Sequence, residues 1–235
     1  MLAKTAENGY NINRKILKEV CVMIIVGICG ASGSGKSTLA RRIQDSLTCS
    51  CTIIGQDCYY KSFPDLPFED RCHLNYDEPT IFNYDELLED LKQLQQGHSI
   101  LKKGYDYTHH LRADTQEVIE PPQVLIMEGI HMFYDPRICE MMSLKVYMHV
   151  DLDICLLRRI RRDMKSRGRS LDSVTEQYLA TVKPMYEKYI KEYIKDADMA
   201  IMRGGHNKMA IDAISAYLTT KVLAERFEED AEGQK

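Results

Sequence analysis

The stretch Met23-Ile24-Ile25-Val26-Gly27-Ile28-Cys29-Gly30-Ala31-Ser32-Gly33-Ser34-Gly35-Lys36-Ser37-Thr38-Leu39 decides the architecture. Its apolar opening reads as a buried strand. Gly30 to Ser37 match G-x-x-x-x-G-K-[ST] in full, and Leu39, Ile43 and Leu47 recur at helical spacing. Strand, glycine loop and helix in that order form the context in which the motif carries chemistry. A phosphate chain is held by inward-pointing backbone N–H groups, and glycines let the backbone turn and approach that closely. The helix that follows adds its positive N-terminal end. Lys36 supplies a mobile charge for the outer phosphates, and the Ser37 hydroxyl suits Mg²⁺. Gly30, Ala31, Ser32, Gly33, Ser34, Gly35, Lys36, Ser37 and Thr38 are therefore expected to bind a nucleoside triphosphate.

Working outward, the remaining chain alternates short apolar runs with helical patterns. Residues 51–55 are a β-rich run that ends in Gln56-Asp57. Residues 58–80 are rich in Tyr, Phe, Pro and Asp without clear periodicity, the kind of irregular segment that carries a site. Leu87, Leu88, Leu91 and Leu94 give a helix over 84–96 that Gly97 stops. Residues 99–120 alternate and read as a two-stranded flap around Tyr105-Asp106-Tyr107-Thr108-His109-His110. Strands follow at 124–127, 144–150 and 199–201. A long basic helix is expected after Asp151-Leu152-Asp153, and further helices over 170–193, interrupted or kinked at Pro184, and over 207–226. The expected fold is α/β, one domain over 23–235 with a mostly parallel sheet and helices on both faces.

Bulk properties narrow the class. The 235 residues are 44% hydrophobic and 28% charged, ordinary for a soluble globular domain. A net charge of −4 gives no global pull toward nucleic acid or membrane. No apolar run reaches transmembrane length and no leader pattern opens the chain. The eight cysteines are scattered without metal spacing and read as reduced, small core residues of a cytoplasmic protein. Residues 1–22 form an N-terminal extension. Ile12, Ile16 and Leu17 share a helical face there, yet Lys18-Glu19-Val20 is encodable as the purine-rich AAGGAGGT, a ribosome-binding sequence for a start at Met23. The extension is either a helix or not natively translated.

Acids and bases carry the rest of the chemistry. Glu128 closes an apolar strand where a carboxylate can hold Mg²⁺, directly or through water. Asp57 stands at the end of another strand, on the phosphate side, where a hydroxyl nucleophile needs a base or orienting group. Asp77 can accept from a polyol, although a lone loop aspartate is commonly a turn residue. Arg158, Arg159, Arg161, Arg162, Lys165, Arg167 and Arg169 are interrupted by one acid, Asp163. Of a solvated face, a nucleic-acid surface and a lid over the triphosphate, the lid fits best. A solvated face mixes signs, and a nucleic-acid surface interleaves aromatics. Tyr59, Tyr60, Tyr105, Tyr107, His109 and His110 suit stacking and edge hydrogen bonds to a planar base.

The ordered set Gly30 to Ser37, Gln56-Asp57-Cys58-Tyr59-Tyr60, Asn75-Tyr76-Asp77-Glu78-Pro79, Tyr105-Asp106-Tyr107, Glu128-Gly129-Ile130, and Arg162-Asp163 through Arg167-Gly168-Arg169 resembles the uridine–cytidine kinases. These belong to the phosphoribulokinase/uridine kinase family of P-loop kinases. Gln177-Tyr178, Val182-Lys183-Pro184 and Arg203-Gly204-Gly205-His206-Asn207 extend the likeness over nearly the whole chain. The resemblance implies transfer from ATP or GTP to the 5′-hydroxyl of uridine or cytidine, a pyrimidine-salvage step. It implies Asp57 as base, with Lys36, Arg162 and Arg167 as further catalytic groups, and Arg167 and Arg169 on the triphosphate. Tyr60, Asp77, Tyr105, Tyr107, His110, Arg159 and Gln177 would bind the nucleoside, with Asp77 on the ribose and Tyr105 and His110 on the base. Ser37, Glu128 and Asp57 would serve the metal.

Two departures stand out. His109 precedes His110 where the family has a small or polar residue, which leaves the base contact open by one position. Tyr107 brings a hydroxyl to an aromatic position. The resemblance further implies a homo-oligomer, a tetramer, with small-molecule partners and neither nucleic acid nor membrane. A kinase of another small alcohol (a sugar phosphate or pantothenate) and a non-catalytic nucleotide sensor are the competing readings.

Overall fold

The computed structural model describes residues 23–232, apart from the side chains of Asp114 and of residues 226–232. The alternative readings of residues 1–22 lie outside the described residues. Strand β1 (Ile24–Gly30) is buried at every position. Its even residues Ile24, Val26 and Ile28 enter one apolar cluster with Leu39, Ile43, Ile214 and Leu218, and its odd residues Ile25 and Cys29 enter a second with Leu87, Leu91 and Tyr193. A strand buried on both faces loses the alternating pattern and reads as a continuous apolar run, as it does here.

Helix α1 (Lys36–Ser46) follows the glycine loop, and β2 (Cys51–Gly55) follows α1. The irregular segment holds a 3₁₀ turn at Gln56–Tyr59, the short α2 (Phe68–Cys72) and a second 3₁₀ turn at Pro79–Ile81. Helix α3 (Tyr84–Gln95) is opened by Asn83, whose side chain accepts from the Glu86 backbone N–H while its amide donates to the Glu86 carboxylate at 2.9 Å. It stops at Gly97, which has φ 79°. The flap is a separate two-stranded antiparallel sheet, β3 (Ile100–Asp106) with β4 (Leu111–Ile119), irregular between Lys103 and Tyr105.

Then come β5 (Val124–Gly129), α4 (Pro136–Glu140), β6 (Leu144–His149), α5 (Leu152–Ser166), α6 (Leu171–Gln177), α7 (Lys183–Lys188), β7 (Met199–Met202) and α8 (Lys208–Glu232). The main sheet has the order β2-β5-β1-β6-β7, and every pairing in it is parallel. The break expected at Pro184 begins earlier, as a π turn over Tyr178–Val182. Proline has no N–H to give to the preceding turn, so the ladder loosens ahead of it while Pro184 itself sits in the first turn of α7. The carboxyl ends of β1, β2 and β5 converge on one edge, which is where a parallel sheet gathers its site.

Candidate active site

The glycine loop is shaped by its neighbours. Gly33 has φ 86°, and a Cβ there would lie 2.2 Å from the Cys155 carbonyl oxygen on α5. Only glycine accepts both constraints. Gly35, with φ 99°, caps α1. Lys36 is buried, and its ammonium donates to the carbonyls of Gly30 and Ala31, each at 2.9 Å. Burial lowers its pKa, opposed by the charges of Glu128 and Asp57. Ser37 Oγ donates to Glu128 Oε1 at 2.6 Å, joining the start of α1 to the end of β5. A hydroxyl and a carboxylate in contact are hard oxygen donors of the kind Mg²⁺ takes, so these two residues fit that ion.

Asp57 lies in the 3₁₀ turn after β2, and its carboxylate accepts from the Tyr107 hydroxyl on the flap. Tyr60, Tyr76 and Tyr105 form an aromatic cluster with Phe82; Tyr60 stacks on Phe82 at 4.5 Å and meets Tyr105 at 4.7 Å. The His110 ring stacks on Tyr76 at 4.8 Å, with planes 19° apart. Burial, then Arg169 and Arg71, holds its pKa below the ordinary histidine value. His109 turns outward, its ring 2.7 Å from Asp106 and its side chain 65% exposed. The chain therefore brings His110, not His109, to the aromatic cluster.

Asp77 is 6% exposed, and its Oδ2 accepts from Thr181 Oγ1 at 2.8 Å. Burial raises its pKa, while Arg159 and the Thr181 hydrogen bond oppose the rise. Burial, and after it the charges of Asp57 and Asp77, also pushes up the Tyr60 phenol, which places both acids near that ring.

The arginines are organised by the single acid among them. Asp163 is fully buried; Arg162 Nε donates to it at 2.8 Å, and Arg159 and Arg167 each approach it at 3.5 Å. Arg159 also donates to Ser32 Oγ and to Gln177 Oε1, both at 2.8 Å, tying α5 and α6 to the glycine loop. Arg169 donates to Gln177 and, at 2.8 Å, to Ser173 Oγ. Arg167 covers the Tyr107 ring. Gly204, Gly205 and Arg158 close the outer side: a Cβ on Gly204 would meet Arg158, and one on Gly205 would lie 2.4 Å from the Gly35 carbonyl. A cleft of about 670 Å³, lined by Phe63, Asn83, Lys103 and Arg112 among others, shares Tyr60 with the site but none of the phosphate loop.

Pairwise contacts thus join the glycine loop to Glu128 and Arg159, and the flap to Asp57 and Arg167. Residues 25–210 match the Phosphoribulokinase / Uridine kinase family. The chain belongs to that family. A uridine kinase from Staphylococcus haemolyticus is 44% identical over 199 residues, which cover 84% of this chain and 96% of that one. A uridine kinase from Clostridium perfringens is 44% identical over 194 residues, covering 82% and 93%. The fold matches phosphoribulokinase from Rhodobacter spheroides with a TM-score of 0.58 at 18% identity, over 77% of this chain and 70% of that one. Within this kinase, Tyr76, Thr181 and His131 touch the candidate site residues but were not expected from the sequence. His131 follows Glu128 by three positions, in the strand-end segment that already carried a signal.

Proposed function

We propose that this kinase transfers the γ-phosphoryl group of ATP or GTP to the 5′-hydroxyl of uridine or cytidine. The observation that carries the reading is the aromatic chamber of Tyr60, Tyr76, Tyr105 and His110 beside two carboxylates, Asp57 and Asp77. A flat base joined to a polyol fits that arrangement better than a sugar phosphate or pantothenate does. Named uridine kinases among its relatives support the same choice.

In this mechanism the nucleoside stacks in the chamber, and Asp77 accepts hydrogen bonds from the ribose. Asp57 orients the 5′-hydroxyl and takes its proton as the new O–P bond forms. The bond between the γ phosphorus and the bridging oxygen breaks, and the nucleoside diphosphate leaves. Lys36 and the arginines Arg162, Arg167 and Arg169 offset charge on the transferring group and the leaving phosphates. Ser37 and Glu128 would hold Mg²⁺, with Asp57 as a further carboxylate for the metal. Held there, it would supply positive charge that offsets the charge of the phosphate chain. Arg159 and Gln177 would bind the nucleoside, with Arg159 held between Ser32 of the glycine loop and Gln177.

The resemblance also supports a cytoplasmic homotetramer, which light scattering on the purified protein tests. Among the described residues no helix is long and apolar enough to cross a membrane. The deciding experiment is ADP release with uridine, cytidine, deoxycytidine and adenosine in parallel. Turnover with the two pyrimidine ribonucleosides well above adenosine is expected. Turnover with none of them, but with another small alcohol, would overturn the reading.

A further inference from the structure

His131 takes no part in the chemistry above, yet it is fully buried against the acid assigned to the ribose. Its Nε2 lies 2.7 Å from the backbone carbonyl oxygen of Asp77, and its Nδ1 lies 2.9 Å from the Tyr193 hydroxyl. A carbonyl oxygen can only accept, so Nε2 carries the proton and Nδ1 accepts from Tyr193. Burial holds the ring's pKa down to about 4, which keeps it neutral near pH 7 and in that one tautomer. The His131 backbone is itself tied down, its N–H donating to Gln56 Oε1 at 2.9 Å. Gln56 precedes Asp57. His131 therefore links the segment that carries the base to the segment that carries the ribose acceptor.

Asp77 belongs to no strand or helix: Thr181 holds its carboxylate, and its backbone depends on contacts from other segments. It lies in the irregular stretch between α2 and the 3₁₀ turn at Pro79–Ile81. Its backbone N–H is satisfied by its near neighbour, Asn75 Oδ1 at 3.0 Å. A carboxylate rejects a sugar lacking a hydroxyl only when it stays buried and unpaired in the complex with that sugar. An aspartate free to shift or to take up water would not pay that penalty.

We propose that His131 is a positioning residue for ribonucleoside specificity: by gripping the Asp77 carbonyl from below, it fixes the depth of the carboxylate that accepts from the ribose. This rests on the reading of Asp77 as the ribose acceptor.

The test is the ratio of kcat/KM for uridine to kcat/KM for 2′-deoxyuridine, from which the fraction of correctly folded enzyme cancels. His131→Phe should lower that ratio about tenfold or more, mainly through a raised KM for uridine, with the KM for ATP unchanged. His131→Gln, whose amide N–H can stand near the place of Nε2, should keep most of the ratio. Asp77→Ala is run alongside. If Asp77→Ala collapses the ratio and His131→Phe leaves it at the wild-type value, the proposal fails while the ribose reading stands. If Asp77→Ala leaves the ratio unchanged, the ribose reading itself fails, and this proposal with it. Should His131→Phe give no folded protein, His131→Gln is compared with His131→Asn, whose shorter amide reaches only the place of Nδ1. A retained ratio in the first and a reduced one in the second is expected; equal ratios overturn the proposal.

Discussion

The guanidinium of Arg167 lies 4.0 Å from the centre of the Tyr107 ring, and the hydroxyl of that ring donates to Asp57. One cation from the end of the basic helix, one aromatic from the flap and the strand-end acid thus form a continuous contact. A cation over a ring contributes about 0.5–2 kcal/mol. Arg167→Ala should lower kcat on the order of 10²–10³-fold, the worth of one group aimed at transition-state charge, and change the KM for uridine far less. Steady-state kinetics with both substrates varied separate the two. Salt-sensitive binding of RNA by the wild type would instead favour a nucleic-acid surface.

Asp57→Asn keeps the shape and an acceptor for Tyr107 but removes the charge. It should cost on the order of 10²–10⁴ in kcat, with uridine and ATP still bound. Calorimetric titration alongside turnover checks this. Recovery of the lost rate at raised Mg²⁺ would reassign Asp57 from base to metal ligand.

His110→Ala should raise the KM for uridine and cytidine by an amount equivalent to about 1–3 kcal/mol, because a polar contact to the base edge and the stack on Tyr76 are lost together. His109→Ala should leave both KM values near wild type, since that ring faces solvent beside Asp106. The reverse pattern would shift the base contact by one residue.

Of the 2.6 Å hydroxyl–carboxylate pair, Ser37→Ala removes the hydroxyl and Glu128→Gln removes the negative charge. Either should raise the Mg²⁺ concentration for half-maximal activity about tenfold or more, with saturating Mg²⁺ restoring part of the rate. An unchanged Mg²⁺ titration in both would place the ion elsewhere.

The buried imidazole of His131 gives a stability signature with a definite sign. Its folded-state pKa is about 4, against 6.5 for an unperturbed histidine. Between those values the unfolded chain binds a proton that the folded chain does not. Stability is therefore lost as pH falls from about 6.5 and levels off near 4, by on the order of 3 kcal/mol from this group. Urea midpoints measured from pH 7 to pH 4 should fall more steeply for wild type than for His131→Gln. Parallel curves would mean that the His131 pKa is the same in the folded and unfolded chains.

The local elements were legible in the sequence because their signals are local. The glycine motif places a turn between strand and helix wherever it is read. The leucines of residues 84–96 mark one helical face, and alternation over residues 99–120 gives the flap, seen as β3 and β4. The strand-end addresses of Asp57 and Glu128 follow from counting along apolar runs. What the tertiary structure decided is which of these groups meet. Tyr107 reaches Asp57 across 50 positions, Asp77 and His131 meet across 54, Ser37 and Glu128 across 91, and Ser32 and Arg159 across 127. Periodicity has a range of a few residues and cannot see such pairs. Asp163 read as the lone acid in a basic run, but only the packing of α5 shows it to be a buried counter-charge for three arginines. His131 gave no pattern of its own, since a histidine becomes a clamp only when burial keeps it neutral and a carbonyl from another segment arrives at its ring to fix the tautomer. The choice between His109 and His110 depended on the same thing. Adjacent residues in a tight turn point in opposite directions, and the turn's left-handed step at His110, with φ 52°, decides which one faces the aromatic chamber.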